Sequence, residues 1–168
     1  MLPAKLKNFN LFNDASSYMG VVAEITLPKI TAKMEGWRGG GMLGEVKLDM
    51  GLDALDMEWK VGGLIRQILR QFGTTEVDGV LLRFMGAYQA EDGSGVQAVE
   101  VVVRGRHEEI DMGNAKPGDD TEWSIKTPCA YYKLVIDGNT EIEIDLIGGI
   151  YLIGGVDRYA EIRSALGV

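Results

Sequence analysis

The sequence predicts a mainly β protein, an antiparallel β-sandwich or barrel with one flanking α-helix and a short C-terminal helix. Three observations predict it. Apolar and polar residues alternate strictly in three separate runs, the period of a strand with one buried face. Turn chemistry falls between the strand-like runs. Only two stretches carry a helical stripe. The chain of 168 residues is 46% hydrophobic, the size and composition of one domain, residues 1–168, able to bury roughly 70% of its unfolded surface.

In chain order, residues 9–12 and 17–22 read as strands joined by Asn13-Asp14-Ala15-Ser16, which is turn chemistry. The run Ile25-Thr26-Leu27-Pro28-Lys29-Ile30 follows. Pro28, like Pro128 later, lies in a strand-like run and marks an edge or a bulge, because proline cannot donate to the ladder. In residues 45–50, Val46, Leu48 and Met50 alternate with Glu45, Lys47 and Asp49. In residues 54–61, Leu55, Met57, Trp59 and Val61 alternate with Ala54, Asp56, Glu58 and Lys60. Each pattern implies one face on a core.

Leu64, Ile65, Ile68, Leu69 and Phe72 then form a helical stripe opposite Arg66, Gln67, Arg70 and Gln71, with Gly73 as the stop. Residues 80–90 and 96–106 pair as a hairpin across Glu91-Asp92-Gly93-Ser94-Gly95. A long strand, residues 121–137, meets residues 140–146, where Ile142, Ile144 and Leu146 alternate with acids. The last helix spans residues 157–166, with Asp157 as N-cap, a stripe of Tyr159, Ile162 and Leu166, and Gly167 at its end.

A glycine-rich break, Gly36-Trp37-Arg38-Gly39-Gly40-Gly41-Met42-Leu43-Gly44, interrupts this order. Gly39, Gly41 and Gly44 spell a dinucleotide-binding pattern. That pattern needs a buried strand before it and a helix after it. Here a polar stretch precedes it and an alternating strand follows, so no helix N-terminus meets a phosphate. The break reads instead as a long flexible connection, residues 36–51. The apolar residues in it point to ordering against another subunit. The candidate contact residues are Trp37, Arg38, Gly39, Gly40, Gly41, Met42 and Leu43.

Charge and reactive residues exclude several function classes. With 17 basic and 25 acidic residues the net charge is −8, the wrong sign for gripping nucleic acid. The single cysteine, Cys129, forms no intrachain disulfide and reads as a buried structural thiol. His107 is the only histidine. Beside Arg104, Arg106, Glu108 and Glu109 it reads as a charged strand end in solvent, with no further ligands for a metal. The carboxylates are scattered over turns and outer faces and not held as a pair. No signal peptide and no membrane-length apolar run is present, which predicts folding in a cytoplasm. A non-enzymatic protein with no cofactor and no metal follows, with strand edges that copies of itself would cover.

Short pieces along nearly the whole chain carry a resemblance. They begin with Asn10-Leu11-Phe12, the 25–30 run, Gly40-Gly41-Met42 and Asp49-Met50-Gly51-Leu52. Arg104-Gly105-Arg106, Glu109-Ile110-Asp111 and Lys116-Pro117-Gly118-Asp119 continue them. They close with Tyr131-Tyr132-Lys133-Leu134, Asp137-Gly138, Glu143-Ile144-Asp145 and Gly155-Val156-Asp157-Arg158-Tyr159. In this order and spacing the chain resembles the major tail tube proteins of contractile-tailed phages and R-type bacteriocins.

The resemblance implies a tail-tube-like fold and hexameric rings stacked into a hollow tube, within a virion tail or bacteriocin particle assembled in the host cytoplasm. It implies a sheath protein, a tape-measure protein, a baseplate and a tail terminator as partners. DNA, where carried, passes without specific binding and with no membrane anchor involved, and an acidic or neutral lumen suits that passage. A secretion-system inner tube of the same fold, or a β-sandwich ligand-binding module, are the alternatives.

Overall fold

A computed structural model describes residues 1–168. Thirteen strands and two short helices follow one another. Every strand pair is antiparallel. The largest array runs through β1 (Lys5–Asn13), β7 (Val80–Gln89), β8 (Val96–Gly105), β10 (Trp123–Ile136), β11 (Asn139–Asp145), β12 (Ile150–Ile153) and β13 (Val156–Asp157), with β2 (Ser16–Ser17) on β1. A second group, β3 (Val22–Thr26), β6 (Leu55–Val61) and β9 (Glu109–Asp111), joins the N-terminal half of β10.

β10 belongs to both layers, and a bulge between Cys129 and Tyr131 makes this possible. Before the bulge its odd residues Trp123, Ile125 and Thr127 are buried, and after it the even residue Tyr132 is. The extra residue shifts the pleat by one position and bends the strand. Pro128 stands at this junction, as a bulge-marking proline should. Pro28 differs: it lies past the end of β3 and is buried in the link to the next strand, so it terminates pairing instead of bulging it.

Gly105, opposite the junction, is required by space. A Cβ there would sit 2.0 Å from the Pro128 carbonyl oxygen, which is backbone and cannot swing away. Gly105→Ala is therefore expected to lower unfolding stability by about 1–3 kcal/mol, the cost of overpacking, read as a shift of the urea midpoint at unchanged slope.

The core lies between the two layers. Leu55, Met57, Trp59 and Val61 are all buried, and Leu82, Phe84, Val101, Val103 and Ile125 join them in one cluster. The alternation in β6 thus reads straight onto the structure. The 80–105 hairpin and the β10–β11 hairpin also form as expected. The latter turns through Asp137 at φ 49° and Gly138 at φ 82°, two left-handed residues as a tight hairpin demands. The run 17–22 is not one strand: β2 stops at Ser17, and β3 starts only at Val22.

The expected core strand at 45–50 differs most. β4 (Ala32–Trp37) and β5 (Val46–Leu52) pair only with each other, as a separate two-stranded ribbon. Val46, Leu48 and Met50 are exposed. The connection expected over 36–51 is therefore a β-hairpin arm whose strands include Gly36, Trp37 and residues 46–51. Only residues 38–45 form the turn. Periodicity reports that one face is apolar and leaves open what covers it.

α1 (Arg66–Gln71) and α2 (Ala160–Ala165) are shorter than predicted. In α1 only Ile68 is fully buried, while Leu64, Leu69 and Phe72 of the predicted stripe face solvent. Asp157 does not N-cap α2. Its carboxylate accepts the Tyr159 backbone N–H at 3.0 Å and an Arg163 guanidinium N–H at 2.7 Å.

Candidate assembly interface

The arm is anchored at its base by Leu27 and Leu52, which pack on the core, and by the Asp53 N–H donating to the Thr31 carbonyl at 2.8 Å. Beyond the base, Trp37 pairs with Val46 and Glu35 with Leu48. Paired residues share a face, so Trp37, Val46 and Leu48 stand together on one side, with Glu35 among them, and all three apolar side chains are exposed.

The tip is ordered by its own bonds. The Met42 N–H donates to the Gly39 carbonyl at 3.2 Å, and the Gly39 N–H to the Met42 Sδ at 3.0 Å. The Arg38 Nε–H donates to the Met42 carbonyl at 3.3 Å. Gly41 takes φ 84°, which a side chain would resist. So the predicted contact residues gather into one small turn with Trp37, Gly39 and Met42 together, and Gly40 at its exposed end. Leu43 projects from it, 99% exposed. An exposed leucine and a tryptophan on a hydrogen-bonded turn are a preorganised apolar point, cheaper to bury than the same residues on a mobile loop.

A second unpartnered surface is α2. Arg163 clips it to the sheet through Asp157 and the Gly149 carbonyl at 3.0 Å, yet no residue of the helix is buried. Ile162 is 51% exposed and Leu166 65%. Within the subunit their stripe packs on no sheet. Ile162→Asp is accordingly expected to change subunit stability by no more than about 0.5 kcal/mol, as a surface substitution does, and to block assembly if a neighbour covers the stripe. Melting curves and negative-stain images of the same preparation separate the two effects.

The third surface is the face of the large array turned away from the core. Cross-strand partners align Phe12, Arg83, Val102, Lys133, Glu143 and Leu152 in one row. A second row holds Leu81, Arg104, Tyr131, Asp145 and Ile150. A third carries Asn10, Met85, Glu100 and Val135. Arg83, Arg104 and Lys133 thus stand among Glu100, Glu143 and Asp145. Arg83 reaches Glu100 at 3.6 Å, and the Tyr131 hydroxyl donates to Glu143 at 2.6 Å. The charges on these rows balance.

The profile of the family described as phage tail tube protein FII matches residues 3–167. The chain belongs to this family. It is 45% identical over 170 residues to the tail tube protein of Escherichia phage P2, covering 99% of each chain. To the major tail tube protein of Serratia phage KSP20 it is 41% identical, over 99% of this chain and 98% of that one. Among solved structures, the sheath/tube terminator of the PVC extracellular contractile injection system superposes with a TM-score of 0.59. That match covers 81% of this chain and 97% of the other at 8% identity, a likeness of fold.

One feature of this tail tube family member runs against the sequence reading. His107 is not a solvated strand end; it is buried. The chain turns inward after Gly105 and places the imidazole 6.0 Å from the Trp59 ring. Burial pushes its pKa down to about 4. Its charged sequence neighbours gave no signal of this, since Arg106 and Glu108 point outward. Cys129, in contrast, is buried as expected, and burial pushes its thiol up to about 12.

Proposed function

We propose that this chain is the repeating structural subunit of a contractile tail tube, forming hexameric rings that stack head to tail into a hollow tube. The observation that carries this reading is the arm, an ordered hairpin that exposes Trp37, Val46 and Leu48 and pairs with no other strand of its own subunit. Such a contact is heterologous: a patch on one copy meets a different patch on the next. Rotation closes a ring, and translation along the axis leaves open ends that grow. The arm residues Trp37 to Leu43 are the inter-subunit contact in this proposal.

The open face of the large array is the surface that suits a lumen. Its balanced charges satisfy the requirement for an acidic or neutral wall. Each unpaired Lys or Arg there would add a salt-dependent phosphate contact and slow passing DNA. Arg83 is paired with Glu100, Lys133 lies opposite Glu143, and Arg104 shares its row with Asp145, so nearby acids offset each cation while leaving a hydrated surface. The sheath protein lies outside the tube in this proposal, the tape-measure protein sets length, and the baseplate and terminator occupy the ends. The particle is a virion tail or a bacteriocin, assembled in the host cytoplasm.

Light scattering and negative-stain imaging over a concentration series test the proposal. Scattering should rise with concentration as rings and tubes appear. A strict monomer at every concentration would contradict it.

A further inference from the structure

α1 is held to the body by an unusual inner face. Besides Ile68 and Ile65, the residues turned inward are Gln67 and Gln71, and both enter one hydrogen-bond network. The donors and acceptors of that network are fixed in sequence. Asp14 Oδ2 only accepts, so the Gln71 Nε2 group, 3.2 Å away, points to it and also donates to Asn13 Oδ1 at 2.6 Å. Gln71 Oε1 then accepts from the Asn13 Nδ2 group at 2.8 Å and faces His107 Nε2 at 3.0 Å, and this nitrogen must carry the proton. The neutral ring therefore accepts at Nδ1, from the Thr127 hydroxyl at 2.9 Å. Thr127 Oγ1 in turn accepts the Trp59 indole N–H at 3.2 Å. On the other branch, Asn13 donates to the Tyr18 hydroxyl at 3.1 Å, which donates to Gln67 Oε1 at 2.7 Å.

We propose that this network is an acid-sensitive latch: protonation of His107 releases α1 from the sheets while the strands stay paired. A second ring proton turns Nδ1 into a donor. Thr127 must then accept from both Trp59 and His107, and its own proton loses its acceptor. The new positive charge is buried with no anion in contact. Asp14, from the β1–β2 turn, lies beyond Gln71. From β10, Lys126 faces the other way and pairs with Glu108 at 3.4 Å. From β6, Glu58 and Lys60 point to the opposite face from Trp59, and on α1 Arg66 and Arg70 are exposed. Tyr18 and Cys129 are both shifted upward by burial and stay neutral in acid. No neighbour therefore offsets an imidazolium, and opening toward water does. Because both glutamine anchors share the network, they fail together.

The sign is fixed by linkage. The imidazole titrates at 6.5 when exposed and at about 4 when latched. The opened form therefore binds a proton first as pH falls, and closure weakens progressively below 6.5. The full shift sets a limit of about 300-fold, reached only well below pH 4, and from pH 7 to pH 4 the opening equilibrium rises roughly 100-fold.

Hydrogen exchange on the full-length subunit, corrected for intrinsic rate, reads this segment by segment from pH 7 to 4. Peptides spanning residues 64–73 should open by up to that factor while β7 and β8 keep their protection. His107→Gln should remove the pH dependence of α1. NMR of the single histidine supplies the independent measure, showing the Nε2–H tautomer and a depressed titration midpoint in the wild-type chain. Parallel loss of protection in α1 and the strands, an unchanged pH profile in His107→Gln, or a midpoint near 6.5 would each overturn the latch.

Discussion

A subunit lacking residues 38–43 is expected to stay folded and β-rich by circular dichroism and to form no tubes. The deletion removes only the hairpin tip, whose hydrogen bonds all close within the tip itself. β4 and β5 still face each other across a shortened turn, and loop-closure entropy changes slowly with length. No core residue loses a neighbour. The contact that the proposed assembly takes from the arm, with exposed Leu43 at its point, disappears altogether. Tube mass in a sedimentation assay should fall to background while the melting temperature moves little. Collapse of the subunit on deletion would show that the arm belongs to the fold.

Trp59→Ala carries the largest expected effect on the subunit itself. Trp59 sits mid-strand in β6, with Ile125 of β10 on one side and Ile25 of β3 on the other. It is fully buried, 6.1 Å from the Tyr18 ring, and its indole N–H satisfies buried Thr127. Truncation removes a large ring from between the layers and leaves a cavity at the place where both meet α1. The expected loss is about 3–5 kcal/mol, a large fraction of the stability of an ordinary domain. Urea unfolding followed by circular dichroism measures it. Trp59→Phe keeps the apolar volume more nearly and should lose less.

How far the sequence led depended on whether the chain alone decides burial. The four apolar residues of β6 alternate without interruption, and all four are in the core. The hairpin of β7 and β8 and the Asp137-Gly138 turn were legible because turn chemistry is local. The phase change in β10 was not, because a bulge depends on which strands flank it. Alternation in β5 is as clean as in β6, yet its apolar face is bare in the subunit. The pattern is the same, and only the surroundings differ. The glutamines of α1 were placed opposite the apolar stripe by polarity and in fact turn inward, Gln67 to Tyr18 and Gln71 to His107, whose burial follows from the inward turn after Gly105. For the candidate interface, the residue types at 37–43 were enough to nominate a contact. Their arrangement as an ordered tip on a ribbon was not visible, since the glycines suggested mobility.

A cryo-EM reconstruction of particles grown from the purified chain would show both the arm contacts and the inner wall. Six subunits per ring are expected, each arm tip seated on another copy, with the rows through Arg83, Arg104 and Lys133 facing the channel beside Glu100, Glu143 and Asp145. Arms left in solvent, or an inner wall with more Lys and Arg than Asp and Glu, would contradict the proposed assembly.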